Sequence, residues 1–293
     1  MVFLVISILV STLFGISFKI IAVKRIHALQ AIMVNYMMAG ALGFTTTSSS
    51  VTPLNAHTQP WFYLAVSLGI IFISSLFVIA ETTAKQGISV AQVANRMAVV
   101  VPISVAILCY DDPFTVSKAI GILLAVIAVY LVSHKEETTQ TTQTFWWVFP
   151  LIIFACSGII DSSINYAQRF LLSSDDFDAF LSTIFSTAFI IGFMVLLYQL
   201  LIKKERFQLK AVPAGIILGT INFGTMYFIV CALNANIMEP SVLFPVNNLS
   251  ILTLSTLFSV LCFKEKLSFK NWIGIGLSLL AILILGLLPQ LMD

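Results

Sequence analysis

Ten apolar stretches, each near the length needed to cross a bilayer, alternate with short polar breaks along the chain. They fall near Val2–Ile21, Ala28–Phe44, Trp61–Ala80, Ser89–Tyr110 and Val116–Val132, then Phe145–Gln168, Ala179–Ile202, Val212–Ala232, Pro240–Phe263 and Phe269–Leu288. Each is apolar throughout for about 20 residues, whereas the strands of a membrane barrel alternate over about ten, so helices are expected. The first stretch lacks the basic leader and small-residue cleavage site of a signal peptide and is expected to be retained as a helix. Two breaks, Thr45–Ser50 and Thr138–Thr144, are polar and of low complexity, and the second reads as a flexible hinge between two halves.

The halves repeat one another. Asp112-Pro-Phe-Thr-Val-Ser-Lys-Ala-Ile-Gly121 and Glu265-Lys-Leu-Ser-Phe-Lys-Asn-Trp-Ile-Gly274 carry an acid, a hydroxyl and an Ile-Gly pair in the same register, 153 residues apart. The pattern predicts an all-α polytopic protein of ten spans, with one five-helix unit in residues 1–135 and a second in 145–293. An odd number of spans per unit forces the second copy to enter from the opposite face, giving an inverted repeat with a cavity where the halves meet.

Composition agrees with a membrane setting. Hydrophobic residues are 59% and charged residues 10% of the 293, against roughly 45–50% and 25% in soluble domains, and mean hydropathy is +1.03. The net charge of +2 argues against a nucleic-acid partner, and the spans leave no room for an extra soluble domain. Cys109, Cys156, Cys231 and Cys262 show no metal-ligand spacing and are expected to be small buried hydrophobes. No Gly-rich phosphate loop, His-Glu-x-x-His or Gly-x-Ser-x-Gly is present, so neither an enzyme nor an ATP-driven pump is expected, and no cofactor or metal is called for.

Polar groups at membrane depth are the candidate chemistry, because each costs a few kcal/mol or more there unless paired or wet. Arg96 lies about seven residues into the fourth span, with Gln92 one turn before it and Asn95 adjacent. A planar guanidinium suits bidentate binding of a carboxylate or phosphate; alternatively it pairs with Asp161 or reaches the interface. Ser157, Asp161 and Asn165 form a stripe on the sixth span that matches Ser11, Gly15 and Lys19 on the first at an offset of 146. Asp161 either binds a substrate amine, carries a coupling proton or neutralises Arg96, and Lys19 is expected to snorkel. Asn247 and Asn248 follow Pro245 in the ninth span, Asn222 is central in the eighth, and Asn35 and Tyr36 lie in the second. These amides either contact substrate or satisfy one another between helices. Pro102, Pro240 and Pro245 are candidate hinges for the fourth and ninth spans, and Glu81 and Glu239 border short loops. Gly121 with Ala125 and Gly274 with Ser278 predict close helix packing, within one protomer or across a homodimer.

With these residues in view, the chain resembles the EamA-like branch of the drug/metabolite transporter superfamily. The acid and hydroxyl after the fourth and ninth spans, the Ile-Gly that follows, and Ala84-Lys-Gln-Gly-Ile-Ser-Val-Ala91 leading to Pro102 are similar to that family's pattern. The second half answers with Ala232-Leu-Asn-Ala235 and a displaced Pro245. The resemblance implies a secondary carrier, an exporter or exchanger of small polar metabolites such as amino acids or organic anions, working by alternating access in the inner membrane of a bacterium. Its expected site residues are Arg96, Gln92, Asn95, Asp161, Asn165, Asn222, Asn247 and Asn248, with protons as a candidate coupling ion. Asp112 and Glu265 are expected to cap and anchor loops rather than to bind substrate. Alternatives are a flippase or exporter of amphipathic compounds, favoured by 24 Phe and 9 Met, and a membrane receptor or scaffold that transports nothing. Lys and Arg gather at the odd-numbered loops, which by the positive-inside rule would face the cytoplasm; the family usually has cytoplasmic termini, so the two indications disagree.

Overall fold

The computed structural model describes residues 1–46, 56–109, 115–133, 147–173, 176–204, 206–235 and 240–286, and every regular element among them is helical. Asp112, Glu239 and the Thr138–Thr144 linker lie outside the described residues. The helices are α1 (Val2–Val23), α2 (Ala28–Thr46), α3 (Phe62–Lys85), α4 (Ile88–Met97), α5 (Val100–Cys109), α6 (Val116–Ser133), α7 (Val148–Phe170), α8 (Phe177–Leu201), α9 (Ala211–Asn234), α10 (Pro240–Leu261) and α11 (Phe269–Gly286), with a short 3₁₀ turn at Ala56–Thr58. Among the described residues six segments are long and apolar enough to cross a membrane: α1, α3, α4 with α5, α7, α8 and α9 as far as Ala232. Shorter apolar helices are found at Ala28–Gly43, Val116–Val132, Val246–Leu261 and Phe269–Leu285. Together they fit an integral membrane protein. The outer surface agrees, since Leu123, Tyr130, Met194 and Leu201 are all more than half exposed, as lipid-facing side chains can be.

Pro102 divides the fourth apolar stretch. Without an N–H it cannot bond the carbonyl of Ala98, and that carbonyl instead accepts from Val101 N–H at 2.9 Å, a tighter turn that separates α4 from α5. The ninth stretch behaves differently: Pro240 starts α10, where a missing N–H does no harm, and the helix runs unbroken through Pro245.

At the centre, α2 packs on α8 and α9, and α3 packs on α8. Trp61 meets Phe180 edge to face at 5.8 Å, and Phe185 lies 6.1 Å from Tyr36 and 6.0 Å from Phe72. To one side, α6 and α11 pack closely within the chain: a Cβ on Gly121 would stand 2.4 Å from Leu285 Cγ, and one on Gly274 would stand 2.9 Å from Val132 N and 3.0 Å from Ala128 O. The small-residue faces therefore serve an intrachain contact. Gly274→Ile is expected to destabilise the protein by about 1–3 kcal/mol, because the Val132 side chain and the backbone of Val132 and Ala128 together leave no room for the added carbons; an unchanged thermal unfolding midpoint in detergent would refute this.

The loops sort to two ends. At one end, Gln208 N–H donates to Gln30 Oε1 at 2.8 Å and His27 N–H to Gln208 Oε1 at 2.9 Å, so the α1–α2 and α8–α9 loops meet. The Lys85 ammonium lies 5.3 Å from the Phe149 ring, which brings the end of α3 to the start of α7 at this end as well. The cysteines are not buried as expected: Cys109 and Cys262 are exposed and Cys156 and Cys231 half-buried. In a membrane the lipid supplies the apolar surroundings that a soluble core would have to provide.

Candidate functional site

Arg96 stands on the last turn of α4, just before the break that Pro102 imposes, and its Nη1 donates to Asn248 Oδ1 on α10 at 3.0 Å. Neighbouring Asn95 turns to α7 and accepts from Ser157 Oγ at 2.7 Å. Gln92, one turn back, lies on α1 at Gly15, where a Cβ would stand 2.2 Å from its Nε2. So α4 presents three polar side chains to three helices, α10, α7 and α1. Asn247 accepts from Ser7 Oγ of α1 at 3.4 Å, closing the group on that side. Two of its atoms, Arg96 Nε and Gln92 Oε1, are buried without a hydrogen-bond partner. Leaving such an atom unpaired costs about 1–3 kcal/mol.

Asp161 is on the same side. Its carboxylate lies within electrostatic range of Arg96, yet the two side chains form no ion pair. Asp161, Asn165 and Gln168 are exposed. At 3.6 residues per turn Asp161 and Gln168 lie roughly 150–170° around α7 from the middle of its outward apolar stripe of Leu151, Ile152, Ile159, Tyr166 and Phe170, with Asn165 at the edge of that stripe, about 40° from Leu151. The helix therefore has two open faces, one apolar and one polar. A cavity of about 220 Å³ lined by Gln168, Leu172, Ser173 and Phe177 continues the polar face at the end of α7.

The matching stripe on α1 is shut. Ser11 and Gly15 are buried, and Lys19 pairs with Glu265 at 2.7 Å, the two side chains only 17% and 10% exposed. Lys19 does not snorkel; its ammonium also reaches Thr83 O at 3.5 Å. Glu265 accepts from Ile88 N–H at 3.2 and 3.1 Å through its two oxygens, at the N-terminus of α4, where the helix dipole favours an anion. Its own helix is capped without it, since Asn271 N–H donates to Ser268 Oγ at 3.3 Å and Ser268 N–H to Asn271 Oδ1 at 2.9 Å. Gly87 makes the approach possible: its φ is +108°, and a Cβ there would stand 2.6 Å from Glu265 Oε2. Behind the pair, Ser89 and Ser259 share a hydroxyl contact at 2.8 Å, both fully buried.

The remaining expected site residues are scattered. Asn222 is buried on α9, with no hydrogen bond to the Arg96 group. Asn35 is fully buried with both amide atoms unpaired, as is the Tyr36 hydroxyl, so the mutual satisfaction expected of span amides fails there. The Lys19–Glu265 contact was not foreseen, although the i, i+4 stripe ending at Lys19 and the glycine before Ile88 were its signals.

No family model matches the chain. It is 28% identical over 296 residues to an uncharacterized protein of Haemophilus influenzae, covering 98% of each. Its fold is similar to that of a protein of known crystal structure, with a TM-score of 0.58 and 15% identity over 100% of this chain and 98% of that one. At such identity the likeness shows the fold alone.

Proposed function

We propose that the protein is a ten-span inverted-repeat carrier of the drug/metabolite type that moves small zwitterionic or anionic metabolites, amino acids above all, by alternating access. The observation that carries this reading is the contrast between two equivalent stripes: Ser11, Gly15 and Lys19 are shut along their length, whereas beyond the buried Ser157 its counterparts Asp161 and Asn165 are exposed. A protein built from two inverted halves closes one end with one half and opens the other end with its counterpart.

The packing supports the two-fold relation. Shifting by the repeat offset of 153 turns the Gly121–Leu285 contact into the Gly274–Val132 contact. The pairing of α1 with α9 and α10 likewise answers that of α7 with α3, α4 and α5. Against this background α1 also packs on α3 and α4, whereas α7 has no comparable contact with α9 or α10 among the described residues. That difference is the closed end set beside the open one.

Between the ends, Arg96 offers a fork of donors to a carboxylate, with Gln92 and Asn95 beside it, and Asp161 offers an acceptor to an amine. Two opposite charges that interact without pairing suit a substrate carrying both, and Asp161 is the group available to exchange a coupling proton. Such a carrier belongs in the inner membrane of a bacterium, as monomer or homodimer. Counterflow of labelled amino acids into proteoliposomes tests the proposal. Saturable exchange of at least one amino acid or organic anion is the expected result; flux of amphipathic lipid analogues alone, or of nothing, would refute it.

A further inference from the structure

A cavity of about 660 Å³ lies away from the Arg96 group, between the end of α1 and the start of α9, lined among others by Ser17, Ile20, Lys24, Lys210, Pro213 and Ile217. Its floor is apolar, and it opens sideways, since Ile20 and Ile217 are 41% and 59% exposed. Ser17, the one hydroxyl in the lining, already donates to Leu13 O at 2.7 Å. At the mouth stand Lys24 and Lys210, both exposed and without an ion-pair partner among the described residues. The two converging loops carry Lys24, Arg25, Lys203, Lys204, Arg206 and Lys210 against the single acid Glu205. The α9 amides are not the attraction, because Ala211 and Val212 N–H already donate to Gln208 and Leu209 carbonyls at 2.8 and 3.2 Å.

We propose that this groove holds an anionic phospholipid of the surrounding bilayer, its phosphate between Lys24 and Lys210 and the first part of an acyl chain along Ile20, Pro213 and Ile217. A free inorganic anion would gain nothing from the isoleucine floor. A neutral lipid would leave two ammonium groups uncompensated beside four other cations. A membrane-facing groove that joins paired cations to an alkyl channel matches a molecule that joins an anion to an alkyl chain. The inference is independent of the transport proposal and needs only the membrane setting.

The test is native mass spectrometry of the detergent-purified protein titrated with phosphatidylglycerol or phosphatidylcholine. Wild type is expected to retain phosphatidylglycerol preferentially. The double variant Lys24→Gln with Lys210→Gln should bind it on the order of 10- to 30-fold more weakly. Lys24→Arg with Lys210→Arg should bind normally, as should Lys266→Gln, an exposed cation elsewhere at the same end. Both target lysines are exposed, so folding should be unaffected, and a matching unfolding midpoint checks this. Equal retention of the two lipids by wild type, unchanged binding by the double glutamine variant, or full displacement by millimolar inorganic phosphate would each overturn the proposal.

Discussion

Arg96→Ala is expected to abolish counterflow, lowering its initial rate by roughly 30-fold to several thousand-fold, the range for removing one member of a desolvated charge-assisted pair. The guanidinium offers more donors than the protein uses: one reaches Asn248, while Nε is buried and unpaired. A substrate carboxylate would complete the set. Since the side chain makes a single hydrogen bond among the described residues, its loss should cost folding only about 1 kcal/mol. The variant should therefore insert and unfold at nearly the wild-type midpoint while failing to exchange substrate. Arg96→Lys should recover part of the rate, as it keeps the charge and loses the planar fork. Normal counterflow by purified Arg96→Ala would make Arg96 structural and remove the proposed site.

Glu265→Gln should open the closed end. The carboxylate makes a 2.7 Å ion pair with Lys19 and accepts twice from Ile88 N–H, joining α1, the start of α4 and the α10–α11 loop. Its exposure lies between that of surface pairs and that of buried ones, so breaking it should cost about 2 kcal/mol. This corresponds to a roughly 30-fold shift away from the closed arrangement. Ser89 is fully buried directly behind the pair. With the four native cysteines replaced, a Ser89→Cys reporter should react slowly with an impermeant maleimide, and much faster when Glu265→Gln or Lys19→Gln is added. Unchanged labelling in both would mean that the contact holds a loop and nothing more. The two variants together should label little faster than either alone, because they remove the same interaction.

The α6–α11 contact and the end-closing contact show how differently such features are written in a chain. Gly121 and Gly274 announce their packing by repeating with the same neighbours at one offset, and any close helix pair needs small residues. The position of the α4–α5 break was equally legible, because Pro102 acts on the carbonyl four residues before it. Glu265 was read as serving its own helix, the nearest one, but it serves α4 in the other half, 177 residues away. The same local reasoning makes Lys19 a snorkelling end residue. What it meets is a carboxylate brought by a loop that sequence distance alone does not place beside it.

By itself the sequence determined that the chain is built of apolar helices fit for a membrane and which small-residue faces pack tightly, since each depends on interactions within a turn or two; it marked Pro102 and Pro245 alike, and only at Pro102 does the helix break. Only the tertiary structure decided which polar groups meet: that Arg96 faces Asn248, that Asp161 stands near it without pairing, and that one of two matching stripes is locked while Asp161 and Asn165 of the other are exposed. The reason is that a helix pattern specifies the direction of a side chain around its own axis. Its partner depends on the rotation, depth and neighbours of every other helix.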